Sequence, residues 1–141
     1  MAVKLGDSTA AAKVPFFEEL LKYESYAMKA MEKKEWREAI YYLGKILEFA
    51  TDSMKHIALK IECMICESPH DMTNAIRFTT AIQEQFIDNS DFLFWRGRVL
   101  IYNGQTEMGK KHLKQALNID PDNKTYVKYW KNLQNSEKTK E

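Results

Sequence analysis

The sequence predicts an all-α protein: three helix–turn–helix repeats followed by one closing helix. Two observations carry that prediction. Apolar residues recur at spacings of three and four along most of the 141 residues, and the chain holds only three prolines and five glycines. Small residues also recur in pairs twelve apart, Ala27 with Ala39 and Gly97 with Gly109, as needed where the two helices of a hairpin cross closely. The crossing residues of the second helices run Ala39, Ala75 and Gly109, spaced by 36 and then 34 residues. A near-constant period of that size marks a repeat array.

Residues 1–14 lack a periodic pattern and are expected to be a flexible N-terminal extension or the remnant of an upstream helix. Pro15 suits the first turn of a helix. The first repeat, 15–53, places Phe16, Leu20, Tyr23, Ala27, Ala30 and Met31 on one helical face. The segment EKKEW breaks the pattern, and a second helix follows with Ala39, Leu43, Ile46 and Leu47. The second repeat, 54–89, opens with a helix over Met54–Glu67 carrying Ile57, Ile61 and Met64. Ser68-Pro69-His70 breaks it. The next helix is expected over Thr73–Phe86. If Ala75 is its crossing residue, the partner is Ile61, fourteen back, which implies a two-residue insertion in the turn around Glu67–Asp71.

The third repeat, 90–123, has Leu93, Gly97 and Leu100 on its first helix and Gly109, Leu113, Ala116 and Leu117 on its second. Asn103-Gly104 is a stop signal, since both residues tolerate left-handed backbone. Thr106 is expected to cap the second helix, and Asp88 and Asp91 to cap around the first. Asp120 is expected to cap the closing helix, 124–136, with Pro121 in its first turn. Tyr126, Trp130 and Leu133 share one face of that helix, as a cap over the last repeat requires. Residues 137–141 read as a frayed polar tail.

Composition narrows the function classes. A formal net charge of +1 argues against nucleic acid, which calls for a basic patch. No apolar run approaches the roughly 20 residues of a membrane span. The start MAVKLGDSTAAAK lacks the apolar core of a secretory signal. Two cysteines in one helical segment do not make a disulfide framework. The expected location is the cytoplasm and the expected state a monomer.

The third repeat, SDFLFWRGRVLIYNGQTEMGKKHLKQALNIDPDN, resembles the tetratricopeptide (TPR) repeat: glycines at the crossing and the turn, and a closing proline. FWRGRVLIYNG followed by KKHLKQALNIDPDN, together with ILEFA and LKIEC earlier, resembles the middle TPR array of DnaJ-family co-chaperones that carry tandem TPR domains. The resemblance covers residues 16–136. It implies a right-handed TPR α-solenoid whose first helices line a concave groove, and a non-enzymatic adaptor of co-chaperone type. The chain contains no His-Pro-Asp tripeptide, so it is expected to be a fragment or truncated relative without a J domain. The alternative is a TPR scaffold in an unrelated assembly, such as ubiquitin ligase, transport or organelle machinery.

Many chaperone-binding TPR domains grip a chaperone's C-terminal carboxylate with a clamp of Lys, Asn, Asn, Lys and Arg. The corresponding positions here are Glu24, Met28, Leu59, Asp91 and Trp95. None can serve, and the two acids would repel an acidic tail. The groove is therefore expected to bind a protein segment without the clamp, including a heat-shock chaperone by a route independent of its tail. Its candidate residues are Met28, Met31, Ala58, Glu62, Phe94, Arg98, Tyr102 and Lys128. Methionines, aromatics and mixed charge suit an apolar or helical segment. The plainer reading of Phe94 and Tyr102 is packing between repeats, and of Arg98 a solvated helix face.

No cofactor or metal is expected. Cys63 and Cys66 form a CxxC, but without the strand–helix setting of a redox motif or a fourth zinc ligand they read as buried structural cysteines. His56, His70 and His112 are scattered, and neither a nucleophile constellation nor a phosphate-binding glycine loop is present.

Overall fold

A computed structural model describes the backbone of residues 2–140 and the side chains of residues 17–137. Among the described residues the fold is all-α, with seven helices and no strand: α1 (Ala2–Glu32), α2 (Trp36–Phe49), α3 (Met54–Glu67), α4 (Thr73–Ile82), α5 (Ser90–Tyr102), α6 (Thr106–Ile119) and α7 (Lys124–Lys140). The chain divides into two compact units, Met1–Cys63 and Met64–Glu141.

In the first unit, α1 and α2 form a hairpin. Ala27 and Ala39 are both fully buried in a cluster with Ala30, Leu43, Ile46 and Cys63. Leu20, Tyr23, Met31 and Trp36 pack on its edge. The turn between the helices is three residues long. Lys34 takes φ 61° there, the Lys34 amide donates to Met31 at 3.0 Å, and the Glu35 amide donates to Ala30 at 2.8 Å. The backbone of α1 begins at Ala2, so Pro15 lies inside the helix rather than in its first turn. The alanines at 10–12 favour helix, the upstream-helix alternative that the missing apolar period left open beside a flexible extension. The side chains of the extension expected over 1–14 lie outside the described residues.

The second unit repeats this hairpin in α5 and α6. Gly97 and Gly109 are buried where the helices cross. Gly104 takes φ 86°, its amide donates to Ile101 at 3.0 Å, and the Gln105 amide donates to Leu100 at 2.8 Å. Lys34 and Gly104 stand seventy residues apart, as do Ala39 and Gly109, so turn and crossing recur in one register. The link between α3 and α4, Ser68–Met72, is two residues longer than these turns. The Asp71 carboxylate closes it by accepting from the Thr73 amide at 3.1 Å and hydroxyl at 2.6 Å.

Several boundaries differ from the sequence reading. α4 stops at Ile82 rather than Phe86, and Gln83–Asp88 is a string of tight turns. The turns carry Phe86 to within 5.8 Å of Phe92, ring centre to ring centre, and that burial outweighs another turn of helix. α5 is capped by Asn89, whose side chain accepts from the Phe92 amide at 3.0 Å, and not by Asp88 or Asp91. Thr106 is the first helical residue of α6 and does not cap it; Gln105 precedes it without a side-chain bond. α7 is capped by Asn123, which accepts from the Tyr126 amide at 3.1 Å. Asp120 ends α6 instead, accepting from the Asn123 side chain. α7 also runs past 136, where Glu137 pairs with Lys110 at 2.5 Å and no proline or glycine stops the helix.

Candidate peptide-binding face on α5 and α7

Helix α5 is buried on most sides: Phe92, Leu93, Phe94, Gly97, Val99 and Leu100 are all inside. That leaves a narrow strip on which Trp95 and Arg98 are half-buried and Asp91 and Tyr102 exposed. α7 lies alongside. Tyr126 stacks on Phe94 at 4.7 Å, and Tyr129 meets Phe94 edge-on at 5.6 Å. Leu113, Ala116, Leu117, Trp130 and Leu133 complete this core.

A cleft of about 340 Å3 opens between the two helices, lined by Phe94, Arg98, Thr125, Lys128, Tyr129 and Asn132. The Arg98 guanidinium lies over Trp95 at 4.6 Å and over Tyr129 at 4.7 Å. Rings on a guanidinium attract it through their quadrupole and hold its plane. The Arg98 Nε is buried without a hydrogen-bond partner. Burial pushes the Tyr129 phenol above its ordinary pKa, against the opposing pull of Arg98.

The eight candidate groove residues divide four and four between the units. Met28 is exposed on α1, Met31 packs against the first core, and Ala58 and Glu62 are half-buried on α3. In the second unit Phe94, Arg98 and Lys128 line one cleft, and Tyr102 is exposed near the end of α5. Phe94 is only 1% exposed and belongs chiefly to the core. Thr125, Tyr129 and Asn132 join the cleft without having been read as candidates. Their spacing with Lys128 is itself a helical face, but the apolar face of Tyr126, Trp130 and Leu133 dominates the pattern of α7.

The two acids that the resemblance maps onto the clamp, Glu24 and Asp91, are engaged internally. Glu24 accepts from Lys55 at 2.9 Å and lies 3.7 Å from His56. The hydrogen bond from Lys55 draws its carboxyl below the ordinary carboxylate pKa. Asp91 accepts the Tyr126 hydroxyl.

Among the described residues no three His, Cys, Asp or Glu side chains group as a metal site would need. Cys63 is buried, but Cys66 is exposed, contrary to the expectation that both are buried. It lies in the last turn of α3, where the chain leaves the helix. No described helix is long and apolar enough to cross a membrane.

No protein-family model matches the chain. It is 27% identical over 123 residues to the human protein DnaJ homolog subfamily C member 7, covering 86% of this chain and 24% of that one. It is 29% identical over 105 residues to DnaJ protein P58IPK homolog A of Oryza sativa subsp. japonica, covering 74% of this chain and 22% of that one. The chain resembles DnaJ-family TPR proteins. It spans less than a quarter of the length of these curated relatives.

Proposed function

We propose that the chain is a non-enzymatic protein-interaction module of the TPR co-chaperone kind, binding a protein segment without a carboxylate clamp. The observation that carries this reading is the α5–α7 cleft. It offers aromatic rings, a fixed guanidinium and an exposed lysine, the mixture that suits a peptide side-chain cluster. The absence of clamp chemistry at Glu24, Met28, Leu59, Asp91 and Trp95 supports the second half of the reading. The likeness to DnaJ-family proteins supports a chaperone or chaperone-bound client as the partner. Three repeats, the last closed by α7, and a site in the cytoplasm complete the proposal.

The test is a titration of the chain against purified seventy- and ninety-kilodalton heat-shock chaperones, each with and without its C-terminal tail. Binding that survives removal of the tail is the expected result. Binding that vanishes with the tail overturns the clamp argument. No binding to any form removes the co-chaperone reading and leaves a scaffold of another assembly.

A further inference from the structure

The α5–α7 cleft has a charge character that its proposed role as a peptide face does not require. Its lining contains two cations, Arg98 and Lys128, and the neutral polar residues Thr125, Tyr129 and Asn132, but no carboxylate. Arg98 has no ion pair with an acid among the described residues, although it is half-buried. The nearest acid on the same strip of α5, Asp91, is two turns away and occupied by the Tyr126 hydroxyl. Unbalanced positive charge beside a desolvated aromatic wall is the complement of a negative group.

The arrangement of Arg98 adds direction. The guanidinium carbon lies over the Trp95 ring at 4.6 Å and the Tyr129 ring at 4.7 Å, and the Nε is buried. The guanidinium also reaches the Tyr129 hydroxyl, and its remaining terminal N–H groups are left for a ligand. A guanidinium held among aromatic rings suits a carboxylate, and its order is established before binding. Lys128, exposed on the α7 side of the same cleft, supplies a second, mobile charge.

We infer that this cleft selects an internal acidic side chain, Asp or Glu, of a peptide segment lying across α5 and α7, with Arg98 as its first cation and Lys128 as its second. The inference rests on the peptide-face reading and specifies its ligand. A segment that passes through, rather than a chain end, is favoured by Asn132. Its amide can donate and accept at once, as a continuing peptide backbone needs. The apolar neighbours of the acid would lie on Trp95 and the exposed Tyr102. The acid position is thus moved along α5 from the clamp positions Asp91 and Trp95 to Arg98.

The experiment uses the full chain and an array of random dodecapeptides, all N-acetylated and C-amidated. Bound peptides should be enriched in Asp and Glu. The Glu→Gln form of the best binder should lose about tenfold or more in affinity, as for loss of one charge-assisted contact. Arg98→Gln should abolish that preference. Lys128→Gln, at an exposed position where folding is not at stake, should reduce it. Peptides bound without acidic enrichment, or a Gln form that binds equally, overturn the inference while leaving a peptide face in place. A peptide whose sole acid is a free C-terminal carboxylate, binding more tightly than the internal-acid peptide, overturns the through-running segment. No bound peptide at all removes the peptide-face reading, and the inference falls with it.

Discussion

The carbonyl oxygen of Gly97 stands 2.6 Å from where a β-carbon on Gly109 would lie, and the Gly109 carbonyl 2.9 Å from that of Gly97. The two glycines therefore exclude side chains reciprocally, backbone against backbone. The obstacle at each is a helix main chain, which cannot rotate aside as a side chain can. Gly109 also faces Ile101, whose Cγ1 would come within 2.5 Å of a β-carbon. The α5–α6 hairpin is held at its closest approach by these two residues.

Gly109→Leu should therefore force the helices apart and cost about 1–3 kcal/mol or more by overpacking. Even Gly109→Ala should destabilise, although alanine gains roughly 1 kcal/mol of helix propensity over glycine. Gly44 is the control. It sits in α2, and a β-carbon there would meet only the Lys60 Nζ at an ordinary 3.7 Å. Gly44→Ala should raise stability by up to about 1 kcal/mol. Urea denaturation of the three variants checks the contrast. A Gly109→Leu chain as stable as wild type would mean that the repeat register is misplaced.

Lys34 holds φ 61° in the turn where the second hairpin has Gly104 at φ 86°. A β-carbon in left-handed backbone crowds its own carbonyl, at roughly 1 kcal/mol or more. Glycine escapes that strain but is freer in the unfolded chain. Lys34→Gly should give a net gain of about 0.5–1 kcal/mol. Gly104→Lys should lose stability instead. Thermal melts of both variants measure the pair, and an unchanged or lower melting temperature for Lys34→Gly counts against this turn geometry.

The hairpins were legible because few residues can stand at Ala27, Ala39, Gly97 and Gly109, and their spacing needs no tertiary knowledge. The caps were less so. Asp88, Asn89 and Asp91 are all good capping residues within one turn, and only the backbone at Asn89, extended at φ −88° and ψ 120°, selects it. Phe92, Leu93 and Phe94 are consecutive and all buried, so α5 has no single apolar face for a period to report. That is why Phe94, read as a groove residue, proves to be mostly core. The setting of Arg98 was not legible either. It depends on Tyr129, on another helix, whose distance in sequence carries no signal.

Tyr126 gives a prediction in pH. It is 3% exposed, and burial, followed by the hydrogen bond to Asp91, raises its phenol pKa from 10.0 to about 12. The folded state thus holds the phenol proton more tightly than the unfolded state. The resulting stability is complete below pH 10 and is lost as the pH climbs toward about 12. Tyr126→Phe should lower stability at neutral pH by removing the bond, yet lose less than wild type on going through that window. Denaturant midpoints of both proteins across the alkaline range decide it. Parallel decline would mean that Tyr126 does not carry the alkaline loss.

Thr79 and Arg96 test how a half-buried cation is tolerated without an acid. Thr79 is fully buried on α4; its hydroxyl donates to the Ala75 carbonyl at 2.9 Å and accepts from Arg96 at 2.6 Å. Arg96 also donates to Thr80 at 3.1 Å, while its Nε is buried without a partner. Burial alone lowers its pKa, as expected where no carboxylate offsets the lost hydration. Thr79→Val keeps the shape but leaves an Arg96 donor unmet, at about 1–3 kcal/mol. In an Arg96→Met background the donor is gone, and Thr79→Val should cost well under 1 kcal/mol. The double-mutant cycle then yields a coupling energy of about 1–2 kcal/mol. If Thr79→Val costs the same in both backgrounds, the hydroxyl acts only on its own helix, and Arg96 is held by packing of its stem rather than by this bond.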